Sequence, residues 1–168
     1  MSRKKSVYNG KTLNKMQMKF PALSVNEAMA RGAVAVFVSQ LDPEITALAD
    51  IKCAVSEAVT NCIVHGYRQS PNGRGVITLT VSILEGRVVK IEIKDKGCGI
   101  PNVKEARQPL FTTDAAGERS GMGFTVMESF TDAMKVTSKV GQGTAVTLFK
   151  HLGEACDVEN KGNRRGHL

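Results

Sequence analysis

Two β-branched runs separated by only two residues place the strongest constraint on how this chain can fold. Val76 to Leu84 and Arg87 to Asp95 flank Glu85-Gly86, a pair that is typical of a tight hairpin turn. Strands joined this closely pair in antiparallel orientation. Ala133 to Val140 and Thr144 to Lys150 are joined in a similar way by a Gly-Gln-Gly turn. The sequence therefore predicts a sheet in which most neighbours are antiparallel.

Helical periodicity fills the segment before the first expected hairpin. Ser24 followed by Glu27 is a capping-box pattern, and apolar residues then recur at helical spacing as far as Leu41. A second helix is expected to start after Pro43 and to end near His65-Gly66. These two helices are long enough to cover one face of a small sheet.

The remaining elements complete an α/β fold. Met16, Met18 and Phe20 alternate with polar residues, which predicts a short edge strand that ends at Pro21. A short helix running to Phe130 precedes the second hairpin. The expected fold class is α/β, an α+β two-layer sandwich with a mixed, mostly antiparallel sheet and its helices on one face.

Chain length and hydropathy favour one domain. With 168 residues and 42% apolar composition, the chain has room for a single core. We expect a domain over 15–152, a disordered basic arm over 1–14 and a flexible tail over 153–168. No run resembles a membrane span or a secretory signal, so we expect a cytoplasmic protein without membrane contact. The four cysteines form no Cys-x-x-Cys pair and are expected to be free thiols.

The net charge of +7 is concentrated at the amino terminus. Residues 1–19 hold six basic side chains and no acid, which leaves 17 bases against 16 acids in the rest of the chain. Aromatic residues are sparse and are not interleaved with basic ones, so direct binding of nucleic acid is not expected. The basic arm is interpreted either as a solubilising segment or as one that steers an acidic protein partner.

Three polar side chains recur every four residues along the second helix. Glu57, Asn61 and His65 are each displaced about 40° around a helix from the previous one, so they project in similar directions. Val55, Val59 and neighbouring apolar residues would face the core. The polar stripe is expected at the border of a cleft, where a carboxylate and an amide could hold a water, a hydroxyl or a hydrated metal.

Glycine-containing turns follow this stripe. Asp95-Lys96-Gly97-Cys98-Gly99 ends a strand, Gly121-Met122-Gly123 opens a helix, and Gly143-Thr144 opens another strand. Taken singly, these patterns are typical of tight turns, and a Glu/Asn pair is typical of a solvated helix surface. The long polar segment from Asn102 to Ser120 is typical of a functional loop or lid.

Taken together and in this order, the motifs resemble those of the GHKL (Bergerat-fold) ATPase and kinase superfamily. Glu57 to Gly66 is similar to its N box, Asp95 to Ile100 to its first glycine box, Gly121 to Phe124 to its second, and Gly143-Thr144 to its final Gly-Thr element. The strings SEAVTNCIVHGY, EARQPLFTT and ERSGMGFTVMESF resemble the sporulation anti-sigma F factors within that superfamily. The resemblance covers about residues 15–152.

The resemblance implies a Bergerat fold and a specific activity. Its members of this kind are serine protein kinases that bind ATP or ADP with Mg²⁺. They inhibit a sigma factor, here of the sporulation sigma F type, and phosphorylate an anti-anti-sigma protein on serine. The resemblance also implies a homodimer, and it points to Arg31 on the first helix as part of the partner surface.

The resemblance also implies roles for single residues. Glu57 is the general base, Asn61 the magnesium ligand, and Asp95 the acceptor for the adenine amino group. The other expected nucleotide contacts are Gly97 and Gly99 at the base, Gly121, Met122 and Gly123 at the phosphates, Arg119 in the lid near the terminal phosphate, and Thr144, whose hydroxyl would support the aspartate. His65 is expected to be structural.

Other functions are weighed against this one. A two-component histidine kinase needs an acceptor histidine upstream, and no histidine precedes His65. A gyrase-like, mismatch-repair or chaperone ATPase needs a following transducer domain, and 18 residues follow Lys150. A binding module that holds nucleotide without turnover and a stress-response anti-sigma kinase remain the alternatives.

Overall fold

Alternation of apolar and polar residues builds one five-stranded sheet. The computed structural model describes Tyr8 and residues 10–68, 75–108 and 122–153. The strands are β1 (Thr12–Pro21), β2 (Val76–Leu84), β3 (Val88–Lys94), β4 (Ala133–Lys139) and β5 (Gly143–His151). They lie in the order β1-β2-β3-β5-β4, and each pair of neighbours is antiparallel.

Four α-helices accompany the sheet in the part of the chain that the structure describes. They are α1 (Val25–Val38), α2 (Ile45–Asn61), α3 (Val103–Ala106) and α4 (Gly123–Phe130). A 3₁₀ turn, Ser39–Leu41, follows α1, and a π-helical turn, Cys62–Gly66, follows α2 without a break.

The core lies between the helices and one face of the sheet. Successive side chains of a strand point to opposite faces, and the buried set of β2 and β3 includes Leu79, Val81 and Ile91. Against these pack Val34 of α1 and Val55 of α2, both fully buried. Helix α2 contacts both α1 and α4, so its buried stripe holds the helical layer together.

The predicted fold class is confirmed, with five differences in detail. The described strand pairings are all antiparallel, whereas the expectation was a mixed, mostly antiparallel sheet. Strand β1 begins at Thr12, which places 12–14 in the sheet and not in a disordered arm. The first hairpin turns over three residues, 85–87, because Gly86 and Arg87 both adopt positive φ. The polar segment after Asn102 begins with α3, which the side chain of Asn102 caps.

The fifth difference concerns the start of α1. The helix begins where the capping-box pattern placed it, but Ser24 makes no side-chain capping bond. Glu27 instead accepts a hydrogen bond from the Ser56 hydroxyl of α2 and lies 3.6 Å from Arg31. The Glu27–Ser56 hydrogen bond therefore joins α1 to α2. Glu27 takes part in this tertiary contact and not in a local cap.

Within the described residues, no helix is long and apolar enough to cross a membrane.

Candidate functional site

Glu57 and Asn61 lie one turn apart on α2 and face the start of α4. A Cβ atom built on Gly123 would lie 3.1 Å from Asn61 Nδ2 and 3.2 Å from Glu57 Oε2. Two predicted motifs therefore meet in contact, although Asn61 and Gly123 are 62 residues apart in sequence. The first turn of a helix has unpaired backbone N–H groups and a positive dipole end, and here both lie beside a carboxylate and an amide.

A π turn separates His65 from this pair. The N–H of Tyr67 bonds to the carbonyl of Cys62 at 3.0 Å, five residues back, so the 3.6-residue period ends at Asn61. His65 thus does not continue the stripe by helical spacing. Its carbonyl instead accepts a hydrogen bond from the Cys98 thiol at 3.1 Å.

The first glycine turn packs against the end of the π turn. The Cys98 N–H donates to the Gly66 carbonyl at 2.9 Å. A Cβ on Gly97 would lie 2.0 Å from that same oxygen, so only glycine allows the two backbones to approach this closely. Gly99, at φ +72, likewise lies against the Lys139 carbonyl. The turn is therefore held on both sides by backbone.

Asp95 is buried at the centre of this arrangement, with 6% of its surface exposed. Its Oδ1 accepts N–H bonds from Gly97 at 2.8 Å and from Thr144 at 3.3 Å. Burial raises the pKa of the carboxyl, and the hydrogen bonds from Gly97, Cys62 and Thr144 oppose that rise without cancelling it. Burial, with the nearby Asp95 charge, also raises the pKa of the Cys62 thiol well above its usual range.

Thr144 supports Asp95 through its backbone. Its N–H donates to the carboxylate and its carbonyl accepts the Asp95 N–H at 2.9 Å. The Thr144 hydroxyl, expected to make this contact, lies instead 2.8 Å from the Ser138 hydroxyl. Ser138 also accepts the Ile100 N–H at 2.8 Å, so it joins β4 to the glycine turn.

The sequence interpretation missed Ser138 and Cys62. A signal for Ser138 exists, because it continues the core-facing row Met134, Val136 with a polar residue. Cys62 has the apolar character of a core residue and is buried, but its thiol also reaches the Asp95 carboxylate. A small polarisable side chain gives no pattern that separates these two roles.

The arrangement of Asp95, the first glycine turn and the start of α4 fits a nucleotide. A buried carboxylate accepts hydrogen bonds from an exocyclic amine, and the close backbone packing at Gly97 and Gly99 holds the turn that carries it. No cluster of three His, Cys, Asp or Glu residues able to hold a metal occurs among the described residues. One amide oxygen beside one carboxylate suits Mg²⁺, which keeps several waters and takes oxygens from bound phosphates.

Several expected site residues lie elsewhere or outside the described residues. Met122 is described and precedes α4 directly. Arg119 and Gly121 lie outside the described residues, as do the rest of 109–121, residues 1–7 and the tail from 154. Arg31 lies on α1, 3.5 Å from the Ser56 hydroxyl, with 41% of its side chain exposed.

Comparison with protein families gives a match over most of the chain. The family model described as the histidine kinase-like ATPase domain matches residues 20–150. The Anti-sigma F factor of Anoxybacillus flavithermus is 56% identical over 139 residues, covering 83% of this chain and 93% of that protein. The Anti-sigma F factor of Priestia megaterium is 52% identical over 139 residues, with the same coverage.

Solved structures share the fold. The RsbU and RsbW domains of Rv1364c from Mycobacterium tuberculosis superpose with a TM-score of 0.61 at 19% identity, over 83% of this chain and 32% of that one. The blue-light activated histidine kinase EL346 of Erythrobacter litoralis gives a TM-score of 0.52 at 21% identity, over 72% and 40%. The chain thus spans less than half of each of these proteins.

Proposed function

The chain belongs to the anti-sigma F factors, within the histidine kinase-like ATPase family, and on this premise we propose that it is a serine protein kinase. It binds ATP or ADP together with Mg²⁺, holds a sigma factor of the sigma F type inactive, and phosphorylates an anti-anti-sigma protein on serine. The observation that carries this proposal is the contact of Gly123 with both Glu57 and Asn61. A nucleotide phosphate chain seated on the α4 start would lie beside both side chains.

Asp95 and the first glycine turn bind the base. Asp95 accepts the adenine amino group, and its backbone-held orientation restricts where that group can sit. Gly97 and Gly99 line the base pocket, in a turn that packs directly on the Gly66 and Lys139 carbonyls. The turn of Gly121, Met122 and Gly123 contacts the phosphates, and Arg119 approaches the terminal one.

Asn61 and Glu57 have separate roles in phosphoryl transfer. Bound nucleotide supplies the phosphoryl group, and Mg²⁺ compensates its charge. Asn61 offers its amide oxygen as the protein ligand to that ion. Glu57, one turn earlier, orients the incoming serine hydroxyl and accepts its proton. Both side chains start from one helix, which keeps the proposed base and the amide that would bind the ion at a fixed separation.

Protein partners meet a different part of the helical layer. Arg31 is partly exposed on α1. It is held by Glu27 and lies beside Ser56, the residue that precedes Glu57. We assign it to the partner surface of a homodimer and expect Arg31→Glu to weaken binding of both protein partners while nucleotide affinity is unchanged. The catalytic domain comprises the expected 15–152 together with 12–14 of β1, and a regulator of transcription of this kind would act in the cytoplasm.

Labelling with ATP tests the proposal directly. The wild-type protein, Glu57→Ala and Glu44→Ala are incubated with labelled ATP, Mg²⁺ and a candidate anti-anti-sigma protein. Glu44 is an exposed glutamate at the start of α2 and serves as the matched control. We expect Glu57→Ala to lose about 100-fold or more of serine labelling with nucleotide binding retained, and Glu44→Ala to label normally.

The same experiment separates the alternatives. Equal labelling by Glu57→Ala would overturn the assignment of the base. Tight nucleotide binding with no labelling of any candidate would favour a binding module without turnover. Labelling of a stress-response partner in preference to the sporulation one would favour the related stress-response kinase.

A further inference from the structure

The face of the sheet that points away from the helices carries most of the positive charge of the described strands. Register places alternate strand residues in rows across the sheet: Lys15 pairs with Ser82, Ser82 with Lys90 and Lys90 with Phe149. We call this surface the open face. Its charged residues are Lys15, Lys19, Lys90, Glu92, Lys94, Lys135 and Lys139.

The charge of the molecule is therefore divided between its two layers. The open face has six lysines and one glutamate, whereas helices α1 to α4 carry five acids and three bases. The near-neutral body expected from the sequence conceals this asymmetry. Lys15 and Lys19, which counted with the amino-terminal arm, lie on β1 and extend the same surface.

Glu92 does not neutralise this surface. Its carboxylate lies 3.2 Å from Lys90 and 3.6 Å from Lys94, between two rows of lysines. Partial burial by itself would raise the pKa of Glu92, but hydrogen bonding and the charges of both lysines outweigh it and lower that pKa. One negative charge is thus shared by two lysines, and a net positive surface remains.

We propose that the open face is a docking surface for an acidic protein segment. Its lysines stand roughly 10 Å apart across strands and roughly 13 Å apart along them, which suits flexible ammonium groups reaching separate carboxylates. Complementary charge of this kind steers association and orients the partner. The surface lies on the opposite side of the sheet from α2, so its occupant does not enter the nucleotide site.

Several observations favour protein over nucleic acid as this occupant. The charged residues of the open face include no arginine among the described strands, so bidentate phosphate contacts are not provided. Its aromatic residue, Phe149, packs against Tyr8 with ring centroids 4.8 Å apart and offers no free stacking platform. Glu92, in the middle strand, would also repel a phosphate.

Binding of labelled poly-glutamate to the full-length protein at low ionic strength tests the proposal. The test variant is Lys15→Gln with Lys135→Gln, and the matched control is Lys52→Gln with Lys104→Gln on the helices. All four lysines are exposed, and both variants lose the same net charge. We expect the test variant to bind about fivefold more weakly and the control to change less than about twofold. Saturating ATP should leave the affinity unchanged.

Three results would overturn the proposal. Equal weakening in both variants would mean that only net charge matters, and no weakening in either would mean that the open face is not involved. A duplex oligonucleotide that binds more tightly than poly-glutamate, with the same loss in the test variant, would make the open face a nucleic-acid surface. Thermal unfolding of both variants confirms that the fold is intact, and ADP titration separates this result from the proposed kinase activity.

Discussion

Gly123 lies so close to Asn61 that a Cβ atom at position 123 would stand 3.1 Å from the amide nitrogen of that side chain. The same atom would stand 3.2 Å from a carboxylate oxygen of Glu57. The glycine is therefore required by the position of the two polar side chains and not by an unusual backbone conformation, because its φ is not among the positive values.

Gly123→Ala is expected to impair the site and spare the fold. The added methyl displaces the Asn61 amide by a few tenths of an ångström and misaligns it with Glu57, so we expect phosphoryl transfer to fall roughly 10- to 100-fold. Isothermal titration with Mg-ADP measures nucleotide binding, and a labelling assay measures phosphoryl transfer. The control is Gly32→Ala in α1. An added Cβ there would meet no atom within 4 Å, and the higher helix propensity of alanine should add about 0.5–1 kcal/mol of stability. Normal transfer by Gly123→Ala would contradict the assignment.

Gly97→Ala is expected to damage both the fold and nucleotide binding. Its Cβ would overlap the Gly66 carbonyl, so the turn must separate from the π turn, at a cost of about 1–3 kcal/mol in the free energy of unfolding. Gly86→Ala separates the two effects, because that position has φ +75 and open space around it. It should lose about 1–2 kcal/mol from backbone strain with nucleotide affinity unchanged. Urea unfolding and ADP titration measure both quantities, and wild-type ADP affinity in Gly97→Ala would refute the close contact.

The stability conferred by Asp95 should fall as pH rises. Burial raises the pKa of its carboxyl above the ordinary 3.8, so the folded protein holds this proton more tightly than the unfolded chain. Its contribution is then fully present below 3.8 and is lost as pH rises through the folded-state pKa. Urea unfolding of wild type and Asp95→Asn at several pH values measures the difference, which should shift against the wild type as pH rises. A difference that shifts in its favour would contradict this.

Glu92 provides a control of opposite sign. Its pKa is lowered below the ordinary 4.5, because Lys90 and Lys94 outweigh the effect of partial burial. The folded protein therefore releases this proton more readily, and the contribution is present above 4.5 and lost as pH falls through the folded-state pKa. Glu92→Gln, compared with wild type in the same series, should show a loss of stability that grows as pH rises.

Alkylation of Cys98 is expected to weaken nucleotide binding. The half-buried thiol lies in the glycine turn and donates to the His65 carbonyl, so an added group would break that contact and push the turn outward. In a variant with Cys53→Ser and Cys156→Ser, a maleimide should react at Cys98, reduce ADP affinity at least about tenfold, and be slowed by bound ADP. The remaining thiol, Cys62, is buried. Complete labelling with unaltered affinity would refute the prediction.

The sequence predicts the elements better than it predicts their contacts. The order of strands and helices follows from periodicities that each segment carries by itself, and the Glu57/Asn61 pair follows from the helical period. The π turn could not be predicted, since nothing in the residue types of Cys62 to Gly66 distinguishes a π turn from a further α-helical turn. The charge of the open face was hidden because Lys15 is separated from Lys90 in sequence and joined to it only by strand register.

The π turn also fixes the permitted length of the helix that contains Glu57. Its hydrogen bond from Tyr67 to Cys62 spans five residues and so accommodates one more residue than an α-helical turn. Removing that residue would restore the α-helical spacing but rotate Gly66 by about 100° around the axis. The carbonyl that receives the Cys98 N–H would then point away from the first glycine turn. We therefore expect this turn to tolerate a change of side chain better than an insertion or a deletion.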